Sequence, residues 1–375
     1  MDSKMALNLI AEVMGWSEND RGTATEEFEW LRLMSEVKYD SYADFRAGAR
    51  FIESLANWLK QFAPEDRPAA YNFVKNRLIY ISPAELKRVI ESFVPETMTP
   101  MLRRQVADEL KIKPYEVWST CNGVDAFAVR LRRTLLVGLS DGSRIDLLRR
   151  TDRRLSQEQI VPMMYIDNEK WRDLQKKLDK EVEPGAKFDN VYLIDDFTAS
   201  GTTFIRKPEN EWTGKLSKFN ELVKRAKEAL GDDFPIAANY ALHIHHYISS
   251  YQARQALDQR LEQADREWAE KSYGSYTVSE GMLLPERAKL DGLSDGDMLD
   301  LCDRYYDHGL FKKLEKHCRE AGQSDMKRGY ADCALPVIME HNTPNNSISL
   351  LWAETQGNEH AHRMRPLFHR RDRHG

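Results

Sequence analysis

Two adjacent carboxylates, Asp195 and Asp196, close the apolar run Val191-Tyr192-Leu193-Ile194, and Phe197-Thr198-Ala199-Ser200-Gly201-Thr202-Thr203 follows them. Four apolar residues in that setting predict a buried strand. Neighbouring acids at a strand's C-terminal edge repel one another unless something positive or polar compensates them. The vicinal hydroxyls of a pentose together with a divalent cation would do so. The Thr/Ser/Gly segment offers small side chains and successive backbone N–H groups, the means by which a chain cradles a phosphate. A sugar on the acids and a phosphate in the loop are one ligand's length apart. A Walker B strand also ends in acids, but it needs a GxxxxGK[ST] loop and the chain has none. An ordinary strand and turn with surface acids is the plainer alternative.

The elements that must position this stretch fall in two patterns. Up to about residue 112 the spacing is helical, with Phe28, Leu31, Met34 and Val37, then Phe51, Ile52, Leu55, Trp58 and Leu59, on apolar faces. Ser82-Pro83-Ala84-Glu85 is a capping box with proline at the first helical position. Val94-Pro95 and Thr99-Pro100 predict a break before a helix over 101–110. From about residue 115 strands alternate with helices, which predicts a mostly parallel sheet. The expected strands are 134–137, 161–166, 191–194, 236–244, 276–284 and 335–340; the expected helices are 171–182, 214–230, 250–271 and 297–321. The organisation read here is a helical N-terminal region or cap (1–112), an α/β domain (113–361) and a basic, mobile tail (362–375).

The central stretch resembles the signature of type I phosphoribosyltransferases: an apolar strand, two acids, two residues, a small residue, then Thr/Ser-Gly-x-Thr. The resemblance implies a Rossmann-like, mostly parallel sheet flanked by helices, and a site for phosphoribosyl pyrophosphate and Mg²⁺. It places Asp195 and Asp196 on the ribose hydroxyls and the metal, and Thr198, Ala199, Ser200, Gly201 and Thr202 around the 5-phosphate, with Thr203 beside it. Members acting on hypoxanthine and guanine carry an aspartate at the Ala199 position as a general acid/base. Here the proton carrier must come from elsewhere.

Upstream, the turn Gly138-Leu139-Ser140-Asp141-Gly142-Ser143-Arg144 follows a predicted strand. In the resembled family such a loop binds pyrophosphate, and backbone groups at Ser140, Asp141, Gly142 and Ser143 with the Arg144 guanidinium suit that polyanion. Asp141 fits only if magnesium intervenes. As a bare Asp-Gly turn the same segment is a common connector. Residues 149–158, RRTDRRLSQE, stand where the family carries a flexible catalytic loop. Arg149, Arg150, Arg153 and Arg154 would close over the pyrophosphate, and Glu158 would handle the proton. A solvated, charged helix end is the alternative.

The last predicted strand runs into His341-Asn342-Thr343-Pro344-Asn345-Asn346. His341, Asn342, Asn345 and Asn346 are candidates for the acceptor side, recognising a base or amide or positioning a nucleophile. Asx hydrogen bonds within an Asn/Pro turn are the alternative. An ending of this type after such a core resembles the phosphoribosyltransferase-like proteins of prokaryotic conflict (anti-phage) systems. That resemblance implies an effector with a partner encoded in the same defence operon. His243 and His245 alternate on one strand face and are a weaker candidate for a metal pair.

Composition bounds the rest. At 375 residues with 31% charged side chains and a formal net charge of −5, the chain as a whole is no electrostatic nucleic-acid binder. Only the tail around Arg365, Arg370 and Arg371 is a candidate for nucleic acid or an acidic protein. Four scattered cysteines without a CxxC pair argue against a zinc site and a disulfide framework. No signal peptide or membrane span is read, so a cytoplasmic chain is expected. The function expected is transfer of phosphoribosyl to an unknown acceptor. A non-catalytic sensor or interaction protein on the same fold, and plain nucleobase salvage, are the alternatives.

Overall fold

A computed structural model describes residues 3–17, 20–46, 50–357 and 361–370. The chain forms two compact units, one from residues 1–85 and 285–375, the other from Leu86–Leu284. Seven strands occur among the described residues: β1 (Ile79–Ile81), β2 (Thr134–Gly138), β3 (Ile160–Val161), β4 (Phe188–Thr198), β5 (Ile236–Ser250), β6 (Ser275–Leu284) and β7 (Val337–Met339).

The unit of residues 86–284 is the α/β body. Its sheet has the order β3-β2-β4-β5-β6, and every pairing is parallel. Parallel strands need crossovers, and the helices Asn168–Glu181, Lys215–Leu230 and Tyr251–Glu267 supply them. Buried β2 reads Thr-Leu-Leu-Val-Gly and the middle of β4 is buried throughout, as a sheet covered on both faces requires. On one face Trp171, Leu174, Leu193, Phe219, Val223, Ile244 and Leu257 form the core. On the other, Phe93 packs edge-on against Tyr192 and on His245.

Several boundaries differ from those read in the sequence. The capping box forms, with Ser82 Oγ accepting from Glu85 N (3.3 Å) and Glu85 Oε2 accepting from Ser82 N (2.8 Å). The helix it starts does not break at Pro95. It passes through a π-turn at Phe93–Met98 into Thr99–Leu110, because the wider turn accommodates a residue without an N–H. Residues 162–166 are not strand, since Pro162 ends β3. The expected helix 297–321 is two helices, Gly296–Arg304 and Gly309–Glu320, with Asp307 Oδ1 accepting from Gly309 N between them.

The other unit is mainly helical around one apolar cluster, with β1 and β7 pairing in parallel as a two-stranded sheet. It corrects two expectations. The N-terminal region expected over 1–112 and the α/β domain expected over 113–361 are divided otherwise: 1–85 fold with 285–375, and 86–112 belong to the α/β unit, which ends at 284. The tail is not mobile over its described part, because Met364, Leu367 and Phe368 are fully buried. Phe368 stacks on Phe51 and meets Tyr42, Phe45 and Tyr80. Of the tail arginines, Arg365 is exposed, Arg370 lies over the Trp352 ring, and Arg371 falls outside the described residues.

Candidate functional site

β4 is longer than the apolar run that announced it. Asp195 and Asp196 lie within the strand, and the pleat turns them to opposite faces. Asp195 is buried and both its oxygens are taken: Oδ1 accepts from Ser140 Oγ at 2.6 Å, and Oδ2 is bound by the Lys215 ammonium. Burial pushes its carboxyl up from the usual aspartate value, and Asp196 adds to the push, while Lys215 and Ser140 oppose it. Its register partner is His246, a fully buried imidazole whose pKa burial pushes down to about 3.

Asp196 is half-buried on the other face. Gly142 of the upstream turn lies against it: a Cβ there would come within 2.5 Å of Asp196 Oδ2. The turn is anchored by Leu139 N donating to Ile194 O (2.8 Å) and Ser143 N to Ser140 O (3.0 Å). Gly138 admits no side chain, because Pro162 O would sit 2.2 Å from its Cβ. Asp141 is exposed, and Arg144 takes the left-handed φ of 48° that starts the short helix Ile145–Leu148. Thus Ser140 and Gly142 each meet one of the two acids.

After Thr198 the backbone is one-sided. The carbonyl of Ala199 accepts from Ser250 Oγ (2.5 Å), that of Ser200 from Arg260 Nη1 (3.3 Å), and that of Gly201 from Phe204 N (3.3 Å). Those of Thr202 and Thr203 accept from Arg206 Nη1 (3.3 Å) and Lys215 N (3.1 Å). Among the described residues nothing accepts from the N–H groups of Ser200, Gly201 or Thr203. Gly201, at φ 68°, supplies the left-handed step of the kind that lines up successive N–H groups in such loops. Ser200 Oγ and Thr202 Oγ1, 2.7 Å apart, add hydroxyls. Such an array of unmade donors is an anion nest. The chain does not then enter a helix directly. Arg206 and Thr213 pair as a short antiparallel flap before Lys215–Leu230 begins.

Magnesium, which the resemblance implies, can be tested against these donors. Asp195 is a poor ligand, since hydrogen bonds and an ammonium fill its oxygens. No group of three or more His, Cys, Asp and Glu side chains suited to a metal occurs among the described residues. Asp196 would be the one carboxylate here to hold such a cation, with its remaining ligands coming from outside the protein.

Other sequence candidates are placed elsewhere. Glu158 is bound by Lys177 (2.6 Å) and lies 4.0 Å from Lys170, both on Asn168–Glu181. Arg154 is held by Asp152 and lies over Phe127, and Arg149 donates to Ile160 O. The residues His341, Asn342, Asn345 and Asn346 lie in the mainly helical unit, where the segment is a turn: Asn346 Nδ2 donates to Tyr330 O (3.1 Å) and Asn345 O accepts from Tyr330 N (2.7 Å). His341 Nδ1 is 3.6 Å from Glu340. His243 is no metal ligand, because Thr277 and Asn190 occupy its two nitrogens. The sequence reading missed Lys215, His246, Tyr247, Arg206 and Arg260. Only Arg206, close behind the loop, carried any local signal.

This arrangement, a parallel sheet whose central strand delivers two acids and a phosphate-type loop, is that of a phosphoribosyltransferase-like fold. A family model described as PRTase-CE matches residues 55–370, and the chain belongs to that family of conflict- and effector-associated phosphoribosyltransferases. None of the curated proteins matches the chain, and neither does any solved structure. Among the described residues no helix is long and apolar enough to cross a membrane.

Proposed function

We propose that the chain binds phosphoribosyl pyrophosphate and transfers its phosphoribosyl group to an acceptor, as an effector in an anti-phage defence system. The observation that carries this reading is the loop at 199–203, with every carbonyl engaged and the N–H groups of Ser200, Gly201 and Thr203 unmet, directly after two acids. In this reading the 5-phosphate takes the free N–H groups and the ribose hydroxyls meet Asp196. The turn from Ser140 to Arg144 faces the pyrophosphate. Mg²⁺ bound with the diphosphate would neutralise charge on the leaving group. The protein's own part is positional and electrostatic: N–H groups fixed before the ligand arrives cost no reorganisation later. The family description supports the effector role.

A second reading, a sensor that binds without turnover, has its own support. Ala199 carries no acid, and Lys177 and Lys170 hold Glu158. Calorimetry with phosphoribosyl pyrophosphate, with and without Mg²⁺, followed by a pyrophosphate-release assay with nucleotide, nucleic-acid and protein acceptors, separates the two. Binding with release supports transfer, binding without release supports sensing, and no binding defeats both.

A further inference from the structure

On β5, Tyr247 stands level with Asp196. Asp195 pairs with His246 and Phe197 with Ile248, so positions 196 and 247 are neighbours, and strand alternation puts their side chains on one face. Tyr247 is fully buried, and its hydroxyl has no hydrogen-bond partner. The charges acting on it are the carboxylates of Asp196, Asp146 and Asp195. One step back on the same face, His245 Nε2 is also without a partner, while its Nδ1 lies 2.9 Å from Ser279 Oγ. The two rings meet edge to face at 5.5 Å. Two orphaned polar atoms in succession beside a site acid are unusual, since buried polar groups are nearly always satisfied. A phenol among carboxylates stays protonated, so its unmet capacity is that of a donor. The acid level with it on β4 is Asp196, against which Gly142 of the upstream turn lies.

We infer that Tyr247 is a positioning residue for Asp196: when the site fills, its hydroxyl donates to that carboxylate and aims the remaining lone pairs at the sugar hydroxyls. The inference rests on the sugar-phosphate reading above. It assigns the orphaned hydroxyl a hydrogen bond that forms only when bound sugar draws the Asp196 carboxylate toward it, which is why none is made without ligand.

The test is Tyr247→Phe, alone and with Asp196→Ala, read by thermal denaturation of the ligand-free chain and by calorimetry with ribose 5-phosphate. Removing an unsatisfied hydroxyl leaves the melting temperature unchanged or raises it, whereas affinity falls about tenfold, the size of one hydrogen bond to a charged group. In the Asp196→Ala background, where no acceptor remains, the tyrosine change has no further effect on affinity. Opposite signs in the two readouts are what a merely structural tyrosine would not give. If Tyr247→Phe binds as wild type, or melts lower without ligand, the inference is overturned. If wild type itself does not bind ribose 5-phosphate, the sugar-phosphate reading falls and the inference falls with it.

Discussion

Lys215 grips Asp195: its ammonium binds Oδ2 while Ser140 Oγ donates to Oδ1 at 2.6 Å. One buried carboxylate thereby joins the upstream turn, the central strand and the helix that follows the flap. The adjacent acids have divided their work. Asp195 is braced on one face of the sheet, and Asp196 lies half-buried on the other.

Removing the ammonium leaves a buried charge without compensation, and breaking such a pair costs about 3–5 kcal/mol. Lys215→Met should destabilise the α/β unit by that order in urea denaturation. Adding Asp195→Asn should recover part of the stability, because the uncompensated charge is gone. A Lys215→Met chain as stable as wild type would show that the contact contributes nothing.

Gly142→Ala tests the other acid. Its φ is ordinary for any residue, so the backbone tolerates alanine, but the added methyl would meet Asp196 Oδ2 at 2.5 Å. The carboxylate must move. We expect calorimetry to show at least an order of magnitude loss of phosphoribosyl pyrophosphate affinity, with a stability change of about 1 kcal/mol or less, as for a surface turn. Equal affinity would mean that Asp196 does not hold the ligand.

Much of this site was legible because it is local. A buried strand, two acids and a Thr/Ser/Gly loop lie within thirteen residues, where composition and spacing speak directly. The parallel sheet was legible too, from alternating periodicities. What sequence could not supply depends on register: Tyr247 and His246 matter because of which β4 residues they sit beside, and nothing within β5 says so. Glu158 looked available, yet two lysines on the next helix hold it. Pro95 looked like a break because the π-turn that absorbs it is rare. In the tail, basic composition outweighed the spacing of Met364, Leu367 and Phe368, the residues that bury it.

Buried histidines should make the α/β unit acid-sensitive. Burial pushes His243 down to about 4 and His245 and His246 to about 3. The unfolded chain therefore binds protons that the folded chain refuses as pH falls below about 6.5. Their contribution is complete above the unfolded value and is lost progressively below it, toward about 4 for His243 and about 3 for His245 and His246. Each histidine adds a slope approaching about 1.4 kcal/mol per pH unit. Urea midpoints at intervals from pH 7.5 to 4.5 should fall accordingly, and His243→Gln should flatten the curve. A flat wild-type profile would contradict the burial of these rings.

Phe368 makes the corresponding prediction for the other unit. Its ring is fully buried and meets Tyr39, Tyr42, Phe45, Phe51 and Tyr80, so five aromatic partners separated from it by nearly 290 residues or more depend on one side chain near the C-terminus. Leu367 N and Phe368 N both donate to Leu351 O, at 3.0 and 2.9 Å, which fixes the segment. Deleting a ring from such a site removes its burial and leaves a cavity, at a cost of about 3–5 kcal/mol for Phe→Ala. Phe368→Ala should therefore unfold the mainly helical unit first, while the nest at 199–203, which belongs to the other unit, keeps its geometry. Limited proteolysis should cut the variant within 1–85 or 285–375 before it cuts 86–284. Cleavage at wild-type rates would show that the C-terminal segment is dispensable to the core it fills.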